Sequence, residues 1–483
     1  MTTSLALFRR ALLLGFALPL ALHAQDRTPQ TLTLAEAIRM AATESEALRI
    51  ARAGTSRARG QELQARSRQL PQLNGSVNYQ RALQLQFEEI VKRLGGGEGG
   101  ENGGGGGDGF TDSPIARVFA APNTMILGLT ATQLLYSGGA AAAGVEAAKA
   151  GTRVATLGEQ SARAQLVLDI AQAYFDAQVA AQMAVIAESS FVQADRALSQ
   201  TQLGRDVGNV SEFDLIRARV QRDNARPAVI GARTQRDVAL LRLRQLLNIP
   251  LDRPLVLTTS ADEVAGSSAA AVTVAEAATP ASADTTVTAR IPVQQAAEAV
   301  RVQERLLRVA RGQRLPAIGL QSTYQRFAYP AEGTILEDNW RFYFPNWTVA
   351  LGVSMPLFSG GRVKGEVMSA EASLNEARAR YNQARQAAEL DQAIAIAQLA
   401  EAEASLAASV GTDEQAARAY AIAEVRYAEG IATQLELAQT RVDLETARAY
   451  RVQATRDVAL ARLKLALIRD LPLSAGLSLG MAR

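Results

Sequence analysis

The sequence predicts a mixed α and β chain built from two internal repeats. Each repeat runs helix, strand, strand, long helix, return helix. Three observations carry this. Tyr136-Ser137-Gly138-Gly139 returns as Phe358-Ser359-Gly360-Gly361, 222 positions later. The stretch Gly208 to Asp214 returns as Gly430 to Glu436 at the same separation, and the register holds onward through Arg219 and Arg441 to Ala225 and Ala447. Ahead of each Gly-Gly hinge the apolar period changes from helical to two. One fixed separation between hinge and closing turn, with no insertion, implies two rods of equal length.

In chain order, Met1 to Ala24 (residues 1–24) reads as a secretory signal peptide. Arg9 and Arg10 give the charge and Ala11 to Leu22 the apolar core. The run is shorter than the roughly 20 residues a spanning helix needs. The sole histidine, His23, leaves with the signal, and the mature chain keeps 49 basic against 48 acidic residues. That balance predicts no nucleic-acid partner. No later stretch reads as long and apolar enough for a transmembrane helix. Cysteine is absent, which excludes disulfides and thiolate metal sites.

The first repeat spans 25–259. Thr33 is placed as a helix N-cap with Glu36 in the capping-box position, and the helix is expected to run to about Gln69, before Pro71. From Leu73 the chain alternates. Leu73, Val77 and Tyr79 fall on one face and Asn74, Ser76, Asn78 and Gln80 on the other, with Arg81 the exception on the apolar side. Met125, Leu127 and Leu129 alternate with Thr124, Gly128 and Thr130 in a second strand. The second repeat, 289–471, holds both strands again. Leu315-Pro316 and Tyr324-Gln325-Arg326 lie 245 positions after Leu70-Pro71 and Tyr79-Gln80-Arg81. Because that shift is 245 before the hairpin loop and 222 after it, the first loop carries 23 extra residues. They fall in the glycine-rich stretch 92–113, which reads as a surface loop. No Gly-Lys-Ser/Thr follows to make a P-loop, and its single calcium-type nonapeptide has no neighbour to stack on.

Each hinge opens a long helix, expected over Ala140 to about Leu203 and Arg362 to about Glu429, roughly 95–100 Å at ~1.5 Å per residue. In the second, Val363, Val367, Ala370, Leu374, Ala377, Tyr381, Ala384 and Ala388 step by four and three as a heptad seam, which Asp391 breaks. Return helices begin near Ser211 and Thr433, and Pro227 is expected to interrupt the first with a kink. Residues 260–288, rich in Ala, Ser and Thr, read as an inter-repeat linker, and 472–483 as a tail.

Four strands cannot close a spanning barrel, and open edges are not tolerated in a bilayer. If the strands cross a membrane, other copies must complete them. The polar face suits a watery lumen, and Trp340 and Trp347 suit an interfacial belt. A soluble hairpin packed on a core is the alternative from pattern alone.

The chain resembles the TolC family of outer-membrane efflux channels. The matching stretches are Leu32-Thr33-Leu34-Ala35-Glu36-Ala37, the two hinges, and Arg426-Tyr427-Ala428-Glu429-Gly430. The resemblance implies a trimer in which four strands per chain build one twelve-stranded transmembrane β-barrel in the outer membrane. A long periplasmic α-helical barrel continues it, and residues 260–288 lie in an equatorial belt. The implied function is an outer-membrane exit channel of a tripartite efflux or type I secretion system, conducting passively. The implied partners are two further copies, outer-membrane lipid, a periplasmic adaptor and an inner-membrane transporter.

The resemblance also assigns sites. Gly138, Gly139, Gly360 and Gly361 are the strand-to-helix hinges. Gly208, Val210, Ser211, Gly430, Ala432 and Thr433 form the tips that contact the adaptor. Asp214 and Glu436 lie at the channel entrance, six carboxylates in a trimer, where such a ring favours cations. The residues alone also read differently: Ser211 and Thr433 as N-caps, Asp214 and Glu436 as capping-box acids. Some members of the family lock the entrance with a basic residue two positions after the tip glycine; here Val210 and Ala432 stand there. With neither His nor Cys in the mature chain, an enzyme, a cofactor or a soft-metal site is not expected. The competing function is a soluble periplasmic coiled-coil adaptor or scaffold, which needs no amphipathic strands.

Overall fold

The computed structural model describes residues 30–83, 123–208, 210–267, 286–330 and 343–473. The signal peptide, the glycine-rich stretch 92–113, Trp340, most of the linker and nearly all of the tail lie outside the described residues.

The elements are β1 (Gln30–Leu32), α1 (Leu34–Glu44), α2 (Glu46–Ser67), β2 (Gln72–Arg81), β3 (Asn123–Ser137), α3 (Ala140–Asp206), α4 (Glu212–Leu246), β4 (Leu255–Leu257), α5 (Ala261–Gly266), α6 (Ile291–Gly312), β5 (Ala317–Ala328), β6 (Phe344–Ser354), α7 (Arg362–Ala428) and α8 (Gln434–Ala466). The two long helices, α3 and α7, each hold 67 residues, as the fixed repeat separation requires.

The chain divides into two compact units. One comprises 42–169, 267–411 and 457–483. Its sheet has the order β2-β3-β5-β6, every pair antiparallel. Asn74, Thr130, Thr323 and Thr348 lie in one row across the polar face; Gly75, Leu129, Tyr324 and Trp347 lie in one row across the apolar face. Both edge strands are exposed along their whole length. The α7 seam packs here: Leu307 and Ala310 of α6 are buried with Val367 and Leu374. Asp391, the break in the heptad, is buried opposite Arg290, whose Nη2 lies 3.7 Å from Asp391 Oδ2.

The second unit comprises 1–41, 170–266 and 412–456. Here β1 pairs in parallel with β4, a contact without a clear sequence signal because each strand has three residues. Tyr174 holds the pair to α3: its hydroxyl donates to Leu32 O (2.8 Å) and accepts from Thr259 N (2.9 Å). The ring meets Phe175 edge to face at 5.9 Å, and burial raises the phenol above its usual range.

Three expectations change. The first helix is two, α1 and α2, broken at Ser45, whose backbone is extended; the Arg52 guanidinium answers the freed Ala42 carbonyl at 3.0 Å. The helix α4 runs as one element, Glu212–Leu246, with Pro227 inside it, rather than as two helices. One window of α7 is apolar enough, by length and composition alone, to cross a membrane, with mean hydropathy 1.3; the helix is alanine-rich rather than free of charge.

The Thr33 cap is complete. Glu36 N donates to Thr33 Oγ1 (3.2 Å), and the Glu36 carboxylate accepts from Thr33 N (3.0 Å) and from the Thr33 hydroxyl (2.9 Å); the two bonds to the carboxylate hold the Glu36 carboxyl below its usual range.

The hinge glycines are not equivalent. Gly138 has φ +61°, and an added Cβ would stand 2.5 Å from Gly312 O and 2.6 Å from Leu315 Cβ. Gly360 has φ +57° with nothing within 4 Å. Gly138→Ala is therefore expected to cost clearly more than the ~1–2 kcal/mol of a left-handed L-residue, and Gly360→Ala about that amount. Thermal melting of the two variants checks this; equal melting points would refute the close approach at Gly138.

Candidate functional site: the two closing turns

Both closing turns lie in the second unit. The described residues contain six glycines with positive φ: Gly138, Gly139, Gly208, Gly360, Gly361 and Gly430. These are the six that the repeat singles out.

The turn at Gly430 ends α7 as a Schellman motif. Gly430 N donates to Tyr427 O (3.0 Å) and Ile431 N to Arg426 O (2.8 Å). Only a residue at ease with φ +74° fits, hence glycine. Gly208, at φ +78°, makes the bond corresponding to that of Gly430 at the end of α3, its N–H on Arg205 O at 2.9 Å. After each turn a hydroxyl caps the return helix: Asp214 N donates to Ser211 Oγ (3.1 Å) and Glu436 N to Thr433 Oγ1 (3.2 Å).

The two carboxylates then diverge. Asp214 Oδ2 accepts from the Ser211 hydroxyl at 2.6 Å. Glu436 Oε1 accepts from Arg426 Nη1 at 3.1 Å. The first turn has its own ion pair, Arg205 Nη2 to Glu212 Oε2 at 3.1 Å. Arg205 and Arg426 are not repeat partners, yet each joins the last turn of a long helix to the first turn of a return helix. The charges also suit those helix ends. A basic last turn followed by an acidic first turn was the sequence signal for these clamps.

Three further bonds join the turns to each other. The Tyr427 hydroxyl lies 2.6 Å from Thr201 Oγ1, and Thr201 is fully buried. Gln434, also buried, oriented to satisfy both ends of its amide, accepts from Ala218 N (3.0 Å) and donates to Asp214 O (3.3 Å). Tyr420, Ala423, Leu437 and Leu444 form the core beneath the second turn; burial raises the Tyr420 phenol, with Glu424 adding to the shift.

Of the residues assigned to adaptor contact, Gly208, Ser211, Gly430 and Thr433 are exposed and Val210 is half-buried. Val210 packs on Gly204, where a Cβ would stand 2.6 Å from Val210 Cγ2. Ala432 is only 8% exposed, so its methyl group faces inward. More apolar surface comes from Val207, Phe213, Ile431 and Leu435, all more than half exposed, which the repeat comparison did not single out.

The chain matches the family described as Outer membrane efflux protein over residues 37–248 and 268–468, one segment in each repeat. Curated protein sequences give no significant match. Among solved structures, the Campylobacter jejuni CmeC outer membrane channel shares the fold with a TM-score of 0.70, at 17% identity over 92% of this chain and 87% of that one. VceC, an outer membrane protein of Vibrio cholerae, has a TM-score of 0.66 at 19% identity, covering 90% and 95%. The open state of the Neisseria gonorrhoeae MtrE outer membrane channel has 0.65 at 20%, covering 91% and 89%. Nothing in these matches supports a soluble adaptor or scaffold. With both repeats matched, the chain belongs to the outer membrane efflux protein family, whose members are channels of the outer membrane that extend into the periplasm.

Proposed function

We propose that three copies of this chain form one passive exit duct, opened at the closing turns by a periplasmic adaptor and fed by an inner-membrane transporter. The carrying observation is the sheet: four antiparallel strands, a polar and an apolar face, and two exposed edges. Strand directions alternate from β2 to β6, so β6 of one copy can pair antiparallel with β2 of the next. Two copies would give eight strands, an interior that side chains fill. Three give twelve and leave room for water, lined by rows such as Asn74, Thr130, Thr323 and Thr348.

In this reading the closing turns are the periplasmic entrance. The exposed Val207, Phe213, Ile431 and Leu435 supply the apolar ground for an adaptor, and the exposed backbone at Gly208 and Gly430 lies beside it. Asp214 and Glu436 stand at the opening. No covalent chemistry is involved, and the transporter supplies the energy. Membrane fractionation with gel mobility before and after boiling tests this. An outer-membrane oligomer that dissociates on boiling is expected, and a soluble periplasmic monomer would overturn it.

A further inference from the structure

The four strands contain no Asp, Glu or Lys, and their only charged residues are Arg81 and Arg326. These are repeat partners, each ten residues beyond a Leu-Pro turn, at Pro71 and Pro316. Both lie on the apolar face: Arg326 shares its row with Val77, Leu127 and Pro345, and Arg81 follows Val77 and Tyr79 at strand period two. Asn74 lies in one row with Thr323, four residues past its repeat partner Gly319. Such a stagger tilts strands in a barrel, so repeat partners, not row neighbours, share a height.

A spanning strand takes about 9–11 residues, so both arginines reach the membrane interface farthest from the helices. An arginine facing lipid costs ~2–4 kcal/mol at the midplane and ~0–1 near the interface, which makes that height the tolerated one. Each arginine has a tyrosine two residues back on the same face. Arg326 Nε donates to Tyr324 OH at 2.8 Å, and Tyr79 OH bonds Asn123 Oδ1 at 2.9 Å. Tyrosine at an interface anchors a polar tip beside an apolar body, and guanidinium groups match phosphate oxygens in pairs.

We propose that Arg81 and Arg326 bind the phosphate groups of lipid headgroups in the outer leaflet, so that a trimer carries a ring of six such contacts. This rests on the outer-membrane trimer proposed above. The test uses the purified oligomer and three probes: bis-phosphorylated lipid A, the same lipid dephosphorylated, and inorganic phosphate, with bound lipid read by native mass spectrometry. R81Q with R326Q is expected to weaken binding of the phosphorylated lipid by at least about fivefold and to leave the dephosphorylated lipid unchanged. R81K with R326K should keep most of the binding. Equal binding of both lipids by the unaltered protein, or no loss in the glutamine variant, would refute the site. Displacement of the lipid by inorganic phosphate would make it a small-anion site instead and overturn the lipid proposal. Boiling-sensitive mobility of the same samples reports the trimer separately, and the single variants R81Q and R326Q serve where the pair does not assemble.

Discussion

Arg290→Ala is expected to destabilise the unit that carries the sheet by about 3–5 kcal/mol, the range for breaking a buried ion pair on one side. The Arg290 side chain is 2% exposed and that of Asp391 10%. The guanidinium does more than face Asp391. Its Nε donates to Ile468 O (3.0 Å) beyond the end of α8, and Nη1 donates to Ala388 O (2.8 Å) within α7. The next residue, Ile291, donates its N–H to Arg469 O at 2.8 Å. One side chain thus ties the start of the second repeat to its long helix and to its end. Burial lowers the Arg290 pKa and Asp391 partly offsets this. Removing the arginine takes both carbonyl bonds and the facing charge at once. Arg290→Lys keeps the charge but loses the fork, and should fall between. Arg290→Met with Asp391→Leu should recover much of the loss, since a packed apolar pair of similar volume often replaces a buried ion pair without cost. Circular-dichroism melting and the temperature of oligomer dissociation measure all four proteins. An Arg290→Ala protein that melts with the unaltered one would show that the pair is not a clasp.

That pair also shows where the sequence stops being legible. Asp391 is visible as a break in an otherwise regular seam, but its partner lies 101 positions away, and nothing local points to it. The repeat, by contrast, located the six left-handed glycines, both hinges and both caps, because each follows from backbone geometry within a few residues. Elements that depend on distant contacts went unread: the parallel pairing of β1 with β4, the Thr201–Tyr427 bond and the buried amide of Gln434. The break at Ser45 was missed for a related reason. Its freed carbonyl is satisfied by Arg52 from the following helix, so apolar periodicity continues across it. At the closing turns the sequence located the carboxylates but not their different surroundings, which depend on arginines that the repeat does not match.

Those surroundings make the two carboxylates unequal, and Asp214→Asn is expected to reduce cation selectivity more than Glu436→Gln. Glu436 already faces Arg426, with both side chains more than two-fifths exposed. An exposed pair of this kind adds about 0–1 kcal/mol of stability, and at the entrance proposed above it would present a dipole rather than a charge. Asp214 accepts from a neutral hydroxyl, so its full charge remains available to a passing ion. If the closing turns form the entrance as proposed, three such charges across a trimer focus the field at a narrow opening. In planar bilayers the double variant should therefore show a cation-to-anion permeability ratio near neutrality, and Asp214→Asn alone most of that change. Ser211→Ala separates the two roles of the turn: it removes the N-cap, at a cost of about 1 kcal/mol, while leaving the Asp214 charge in place. Its selectivity should match the unaltered channel and its melting point should fall. If Asp214→Asn instead lowers the melting point and leaves selectivity as it was, the carboxylate serves the turn alone, and the entrance ring is not made by this residue.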